Sequence, residues 1–394
     1  MNSYLGISAD LLKKQNAYYT AKEIASQPDV WAKTYKIFLS SRSDLQGYLD
    51  NIYRENNLSI ILTGAGTSAF IGKVLEGPFQ ELNRKTVRAI ATTDLVTHPN
   101  LYLQKDIPTL LVSFARSGNS PESLKALKIA DDLCDKIYHL IITCNEYGVL
   151  ARYKNNYNSY VFLLPPEAND QSLAMTSSFT SMLLAGILIA SVNSKIDFNA
   201  ELKLLQNYAG KIFNSYLDSI KEVASLSFER AIFLGSGLFR GIAEESHLKL
   251  QELSDGRIIC KHDSFLGFRH GPKAVIDEKS LLVFHFSNNM YSQQYERDLV
   301  QSINGGSKGL FRIGIMESDI NIDLDLKIIL GGNDRKINEK MLSIISVLPA
   351  QILGFFKSLN LGLEPDNPSI SGTITRVVQG VKLYPYILKK MNYV

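Results

Sequence analysis

The chain has 394 residues, a length that favours two lobes over one ordinary core. Charged residues make up 21% and the formal net charge is +3, so no basic stripe indicates nucleic-acid binding. Three cysteines without paired spacing predict a cytoplasmic protein without a disulfide framework. No signal peptide is read, and the longest apolar run, 182–192, is shorter than the roughly 20 residues that span a bilayer. A buried helix and no membrane contact are expected.

Residues 1–55 have the pattern of a helical extension without strands. Thr20, followed by Glu23, resembles a capping box, and apolar residues recur at helical spacing from Trp31 to Leu39. We expect these apolar side chains to pack on the first lobe. A role for the aromatic rings in substrate binding is the alternative.

Short apolar strands then alternate with helices. The strands predicted in the first repeat are 58–63, 87–91, 109–114, 139–143 and 160–164. Near-continuous apolar strands separated by helices indicate a parallel sheet that is covered on both faces.

The pattern restarts after a helical stretch at about 195–225, which indicates two α/β repeats. The strands predicted in the second repeat are 231–234, 257–260, 280–286 and 309–315. The predicted parts are a helical N-terminal extension, a first domain, and a second domain with the C-terminal tail, at 1–55, 56–200 and 201–394.

Three loops of the first repeat are rich in hydroxyl groups. They are 63–68 (TGAGTS), 116–120 (RSGNS) and 174–178 (AMTSS). Ligands of open parallel sheets bind at the carboxyl ends of strands, where glycine admits the backbone and helix N-termini favour anions. Arg116 can add a charge-assisted bond. The loops therefore predict a phosphate site.

Two other interpretations of these loops remain open. Serine and threonine are common N-caps, so each loop can serve as a helix cap alone. Gly64 and Gly66 also resemble a dinucleotide fingerprint with Asp94 as its acid. However, Ala69 stands where the third glycine belongs, and Asp94 lies further along than the usual ~20 residues.

Glu245, Lys249 and Glu252 share one face of a predicted helix in the second repeat. The alternative is a solvated salt bridge. Downstream, His270 lies in a Gly-Pro turn, FRHGPK, and its unperturbed pKa near 6.5 suits proton transfer at neutral pH. No pattern of His, Cys and Asp is typical of a metal site, and the sequence indicates no cofactor.

The segment 234–277 resembles the second sugar isomerase (SIS) domain in the isomerase part of glucosamine-6-phosphate synthase. The whole chain, including SFARSGNSPES at 113–123, is similar to the AgaS group of that family. The resemblance implies an α/β fold with two SIS-type, doubly wound, flavodoxin-like parallel sheets and a helical extension. It also implies a homo-oligomer, dimer or tetramer, that binds an amino-sugar 6-phosphate.

Matched residue by residue, the resemblance assigns roles to the motifs. Glu252 corresponds to the carboxylate that moves a proton between C1 and C2, and Lys249 is its neighbour. His270 corresponds to the ring-opening histidine, which in the family reaches the sugar from a partner subunit. The residues that match the phosphate and sugar loops are Gly66, Thr67, Ser68, Arg116, Ser117, Ser120, Ala174 and Ser177.

Two departures from the synthase bear on the reaction. The chain begins Met1-Asn2-Ser3 without the glutaminase cysteine, and Thr373 stands where the synthase has a lysine in its C-terminal tail. The expected activity is conversion of D-galactosamine 6-phosphate to D-tagatose 6-phosphate and ammonia. A tagatose-6-phosphate aldose/ketose isomerase without deamination and a non-catalytic sugar-phosphate regulator are the alternatives.

Overall fold

The computed structural model describes residues 3–153, 158–332, 335–378 and 380–386. Its first elements are a small hairpin and three helices, namely β1 (Ser3–Tyr4), β2 (Ile7–Ser8), α1 (Ala9–Lys14), α2 (Tyr18–Ala25) and α3 (Gln27–Tyr53). The hairpin contradicts the expectation of no strand in this part. Leu5 and Gly6 turn the chain with φ values of 50° and 75°, the left-handed conformation that two-residue hairpin turns require.

The capping box predicted at Thr20 is wrong. Helix α2 begins earlier, with Ala17 at its N-cap, so Thr20 lies inside the first turn. The carboxylate of Asp366, from the C-terminal tail, accepts hydrogen bonds from the backbone N–H groups of Tyr19 and Thr20, at 3.1 and 2.7 Å. A distant carboxylate therefore caps this helix.

The first repeat forms a five-stranded sheet in which every neighbouring pair is parallel. Its elements are β3 (Ser59–Thr63), α4 (Thr67–Asn83), β4 (Thr86–Ala89), α5 (Thr92–Thr97), β5 (Thr109–Ala115), α6 (Pro121–Leu133), β6 (Ile137–Thr143), β7 (Ser159–Leu163) and α7 (Ser177–Ala190). The strand order is β4-β3-β5-β6-β7, which is the flavodoxin-like order 2-1-3-4-5. The chain order reverses between β3 and β5.

Helices α8 (Phe198–Lys211) and α9 (Leu217–Ser225) lead to a second parallel sheet of the same order. Its elements are β8 (Arg230–Gly235), α10 (Leu238–Leu253), β9 (Ile259–Asp263), α11 (Phe265–Phe268), β10 (Ser280–His285), α12 (Met290–Asn304), β11 (Phe311–Met316), β12 (Leu326–Ile329), α13 (Glu339–Ser346) and α14 (Leu348–Asn360). The sheet reads β9-β8-β10-β11-β12, so the predicted pair of doubly wound sheets is confirmed.

Two predicted details of this second sheet differ from the structure. The strand expected at 257–260 lies at Ile259–Asp263, and β12 was not predicted. The combined α13–α14 segment, Glu339–Asn360, is long and apolar enough to cross a membrane, but 94% of its most apolar window is buried inside the protein. It packs as core.

Helices α4 and α10 join the two repeats. Gly241 of α10 lies against Val74 of α4, where an added Cβ would come within 2.6 Å of a valine methyl group. Eight residues further along α10, Lys249 contacts Thr67 at the start of α4. The two helices therefore run antiparallel, and the C-terminal end of α10 reaches the loop that follows β3 in the first sheet.

Candidate active site

Two of the predicted phosphate loops follow β3 and β5, the strands on either side of the topological switch point. Gly66 caps α4 with φ 55° and ψ −130°, and Gly118 has φ 62°. Both glycines hold conformations that side-chain-bearing residues rarely adopt. Thr67 and Ser68 follow as the first residues of α4, both buried, so the helix N-terminus faces the switch point.

A small cavity of about 100 Å³ lies between these loops. Four of the predicted phosphate-binding residues line it, namely Ser68, Arg116, Ser117 and Ser120. Met175 and the tail residues Arg376, Val377 and Val378 also line it. The hydroxyl of Ser120 donates to Glu122 at 2.7 Å. Hydroxyl groups and a buried guanidinium thus share one concave space, as an anion requires.

A larger cavity of about 520 Å³ adjoins it and connects the two repeats. Gly66, Thr67 and Arg116 from the first repeat line this cavity together with Glu252 from the second. The tail contributes Gly372 to Arg376 as the opposite wall. The proposed anion loop and the proposed catalytic carboxylate therefore face one space.

Lys249 lies beneath this space and is fully buried. Its ammonium donates to Glu252 Oε2 at 2.6 Å and to Thr67 Oγ1 at 3.0 Å, and it lies 3.3 Å from Glu245 Oε1. Glu245 is also fully buried, whereas 22% of the Glu252 side chain is exposed. The alternative of a solvated salt bridge on this face is therefore wrong.

The buried charges of this helix influence one another. Burial raises the pKa of Glu245 to about 8. Burial alone would lower the pKa of Lys249, but Glu245 and Glu252 outweigh that effect and hold it above its ordinary value. Lys249 is consequently a stable cation beside Glu252 and beside the end of the phosphate loop.

His270 lies apart from these groups. It is exposed after α11, and the next residue, Gly271, has a φ of 115°. His270 does not line the cavities that contain Glu252. Two other imidazoles of this repeat, His247 and His262, stack at 4.7 Å near Phe70. Across the described ranges, His, Cys, Asp and Glu side chains form no group of three that could hold a metal ion.

Ala174 and Ser177 are buried in the third predicted loop, behind the cavity wall. The side chains that face the cavity are their neighbours Leu173 and Met175. Asp170 organises this loop, since its carboxylate accepts from the backbone N–H groups of Thr176 and Ser178 at 2.8 and 2.9 Å. This loop therefore caps the start of α7, which is one of the alternatives left open by the sequence. The loop also forms part of the cavity wall.

Three residues of the site were missed by sequence reasoning. Glu23 of α2 accepts a backbone hydrogen bond from Ser172, and burial raises its pKa to about 8. Asp170 caps α7. Arg376, in the tail, donates to the carbonyl oxygen of Asp170 at 2.9 Å. The sequence indicated only a capping box at Glu23 and no role for Asp170 or Arg376, and the partners of Glu23 and Arg376 lie far away in the chain.

The second sheet repeats the glycine turn but not the anion site. Gly237 before α10 has φ 57° and ψ −127°, nearly the values of Gly66. The cavity there, about 290 Å³, is lined by Ser287 and Glu339. The Ser287 hydroxyl donates to Glu339, and its backbone N–H donates to the buried Glu296 at 3.1 Å. The carboxyl groups of Glu296 and Glu339 therefore already occupy the two Ser287 donors that a phosphate would use.

Known proteins resemble this chain over its whole length. Residues 52–192 match the SIS domain family. D-galactosamine-6-phosphate deaminase AgaS of Shewanella sp. (strain ANA-3) is 40% identical, covering 98% of this chain and 97% of the relative. A Clostridium novyi NT structure, assigned as a tagatose-6-phosphate ketose/aldose isomerase, is 41% identical with a TM-score of 0.95, covering 98% of this chain and all of its own.

The Escherichia coli tagatose-6-phosphate ketose/aldose isomerase structure is 34% identical with a TM-score of 0.83, covering 93% of this chain and 96% of its own. Three observations lead to one assignment. They are the two parallel sheets of the same strand order, the hydroxyl-rich loops at the switch point, and the identity and coverage of these relatives. The chain belongs to the SIS domain family and, within it, to the AgaS group.

Proposed function

We propose that this protein converts D-galactosamine 6-phosphate to D-tagatose 6-phosphate and ammonia. The observation that carries the proposal is the cavity that Gly66, Thr67 and Arg116 share with Glu252. It offers an anion site at one end and a carboxylate beside a buried ammonium at the other. The deaminase name of the Shewanella relative supports this choice of substrate.

The proposed mechanism assigns one task to each group. His270 opens the pyranose ring, which frees the C1 aldehyde. Glu252 removes the C2 proton to give an enolamine and returns a proton to C1, which leaves an imine at C2. Water then adds to C2 and ammonia leaves as the ketone forms. Lys249 stabilises the negative charge that develops on the C1 oxygen during proton transfer.

The test is an ammonia assay on galactosamine 6-phosphate, coupled to detection of the ketose product. We expect equimolar ammonia and tagatose 6-phosphate, and a fall in kcat of roughly 10²- to 10⁴-fold for Glu252→Gln, as for loss of a general base. The exposed Glu222→Gln is the matched control and keeps the wild-type rate. Wild-type turnover by Glu252→Gln would refute the assigned base.

The two structures named for tagatose-6-phosphate ketose/aldose isomerase support a second candidate. An isomerase without deamination would use the same carboxylate on a substrate that has a hydroxyl group at C2. The same assay separates the two, since ketose formed from an aldose 6-phosphate without ammonia from the amino sugar favours the isomerase. Binding without any turnover favours a non-catalytic regulator.

We also propose a homo-oligomer in which His270 acts on the site of a partner subunit. Its exposed position outside the cavities of Glu252 supports this arrangement, as do Ile259 of β9 and Leu266 of α11, which are 73% and 47% accessible. A dimer is the smallest assembly that would complete the site.

We propose the same three parts of the chain as in the sequence, 1–55, 56–200 and 201–394. The two sheets lie at 59–163 and 230–329, inside the second and third parts. The three cysteines are unpaired, which supports a cytoplasmic location.

A further inference from the structure

The C-terminal tail brings a second arginine to the small cavity between the serine loops. Arg376 lines this cavity together with Arg116, Ser68 and Ser117. It also lines the larger cavity that contains Glu252. Arg376 thus stands where the two spaces meet, on the side opposite the loops.

Neither arginine is neutralised by a carboxylate. In the described part of the chain, the Arg116 guanidinium donates to the carbonyl oxygens of Ser172, Leu173 and Arg376. The Arg376 guanidinium donates to the Asp170 carbonyl and the Asn169 amide oxygen. All of these acceptors are neutral, so among the described residues neither guanidinium forms a direct ion pair with a carboxylate.

Each guanidinium also keeps unused donors. Arg116 is 5% exposed, and its Nε is buried without a hydrogen-bond partner. The bonds of Arg376 use Nε and Nη2 and, among the described residues, leave Nη1 free. A guanidinium has five N–H donors, and a buried one that stays unused is costly.

The two positive charges also repel each other. Burial lowers the pKa of Arg116, the nearby Asp170 carboxylate opposes that effect, and the charge of Arg376 lowers the pKa by a smaller amount. The Asp170 carboxylate is already bound to the N-terminus of α7. An anion between the guanidinium groups would relieve the repulsion and satisfy the unused donors.

We propose that Arg376 binds the 6-phosphate of the substrate jointly with Arg116, so that the tail supplies half of a two-arginine phosphate site. The assignment rests on the proposed function only for the identity of the sugar. Thr373 and Ile374, three and two residues earlier, line a cavity with Glu252. The tail therefore runs beside the sugar from the C1–C2 end to the phosphate.

The test compares phosphorylated with unphosphorylated ligands in Arg376→Ala, Arg376→Lys and Arg54→Ala, an exposed control at the end of α3. We expect Arg376→Ala to raise KM for galactosamine 6-phosphate and Ki for inorganic phosphate by roughly 10- to 100-fold, the value of a charge-assisted bond. The kcat/KM for unphosphorylated galactosamine stays unchanged. The KM and Ki of Arg376→Lys should lie between those of wild type and Arg376→Ala. Arg54→Ala should match wild type in both constants.

Two results would overturn the assignment. Equal losses for phosphorylated and unphosphorylated sugars would mean that Arg376 only shapes the loop through Asp170 and Asn169. Unchanged affinity for phosphate would mean that it does not contact the anion. Asn169→Ala tests the loop-shaping role alone, because it removes one hydrogen bond of Arg376 and leaves the positive charge of Arg376 in place.

The outcome is independent of the proposed activity. If wild-type protein releases neither ammonia nor ketose, calorimetry with galactose 6-phosphate and galactose still measures the Arg376 dependence, and a phosphate-specific loss upholds the assignment while the activity fails. If wild type turns over and Arg376→Ala matches it on galactosamine 6-phosphate, the activity stands and the assignment falls.

Discussion

Glu296 is a buried carboxyl group that takes no part in the proposed reaction. It lies in α12 of the second repeat with no side-chain exposure, and one of its oxygens has no hydrogen-bond partner in the described part of the chain. Burial raises its pKa from 4.5 to about 8. The folded protein therefore holds a proton here that the unfolded chain releases above about pH 4.5.

We expect Glu296→Gln to stabilise the protein at alkaline pH. The raised pKa means that the stability due to the proton is complete below about pH 4.5 and is lost as the pH rises through about 8. Glutamine is neutral throughout, so the gain in unfolding free energy over wild type should grow by about 3–4 kcal/mol from pH 5 to pH 8.

Denaturant unfolding at the two pH values measures this gain. Glu222→Gln, exposed on α9, is the control and should show no pH-dependent difference from wild type. A gain of equal size at pH 5 and pH 8 would contradict the assigned pKa, because it would come from packing or hydrogen bonding and not from the proton.

The polar residues of the site differ in how far the sequence reveals them. Glu252, Lys249 and His270 stand in motifs with fixed spacing, and the first two lie beside the loop at 63–68 in the structure. Arg376 and Glu23 were missed because each bonds to the loop at 169–176 from a distant segment. Local spacing carries no information about such contacts.

Helix α2 depends on the tail for its N-terminal cap. Its own N-cap, Ala17, has no side-chain acceptor, and the Asp366 carboxylate takes that role. The carbonyl oxygen of Asp366 also accepts from the N–H of Leu173, in the loop that lines the larger cavity. One residue thus connects the extension, the loop and the start of the tail.

Asp366→Ala should lower stability by about 1–2 kcal/mol, the usual value of an N-cap. It should also raise KM for the sugar phosphate, since Arg376 and Thr373 follow in the tail segment that Asp366 anchors. The measurements are denaturant unfolding and steady-state kinetics. Ser8→Ala is the control, because the Ser8 hydroxyl caps α1 in the same extension by accepting from the N–H of Leu11.

If the two variants lose similar stability and share the wild-type KM, Asp366 is only a helix cap. A rise in KM confined to Asp366→Ala supports its role as a positioning residue for the tail.

The alternation of strands and helices was predictable from apolar runs, which coincide with nine of the ten core strands to within a few residues. The tenth, β12, reads LKII and was not predicted, although β4, which is also a four-residue edge strand, was. The hairpin at the N-terminus was missed because two-residue strands carry no periodicity.

The assembled enzyme is expected to share its sites between subunits. His270 is exposed on one side of the second repeat, whereas Glu252 faces the cavity next to the first repeat. A site that takes these two groups from different chains would be inactive in the monomer.

Mixing two inactive variants tests this arrangement. Glu252→Gln and His270→Asn each disable every site when alone, but a mixed dimer would have one site with both native groups. Co-expression in equal amounts should restore about a quarter of wild-type ammonia release if subunits pair at random. If both groups acted within one chain, the mixture would stay as inactive as either parent.

The glycine turn at Gly237 has almost the backbone angles of the turn at Gly66, but Glu339 and Glu296 already occupy its neighbouring donors. A phosphate group approaching this second turn would meet the Glu339 carboxylate, and the Ser287 N–H is already bonded to the protonated Glu296. We therefore expect each polypeptide to bind one sugar phosphate. The turn at Gly237 would serve internal contacts only.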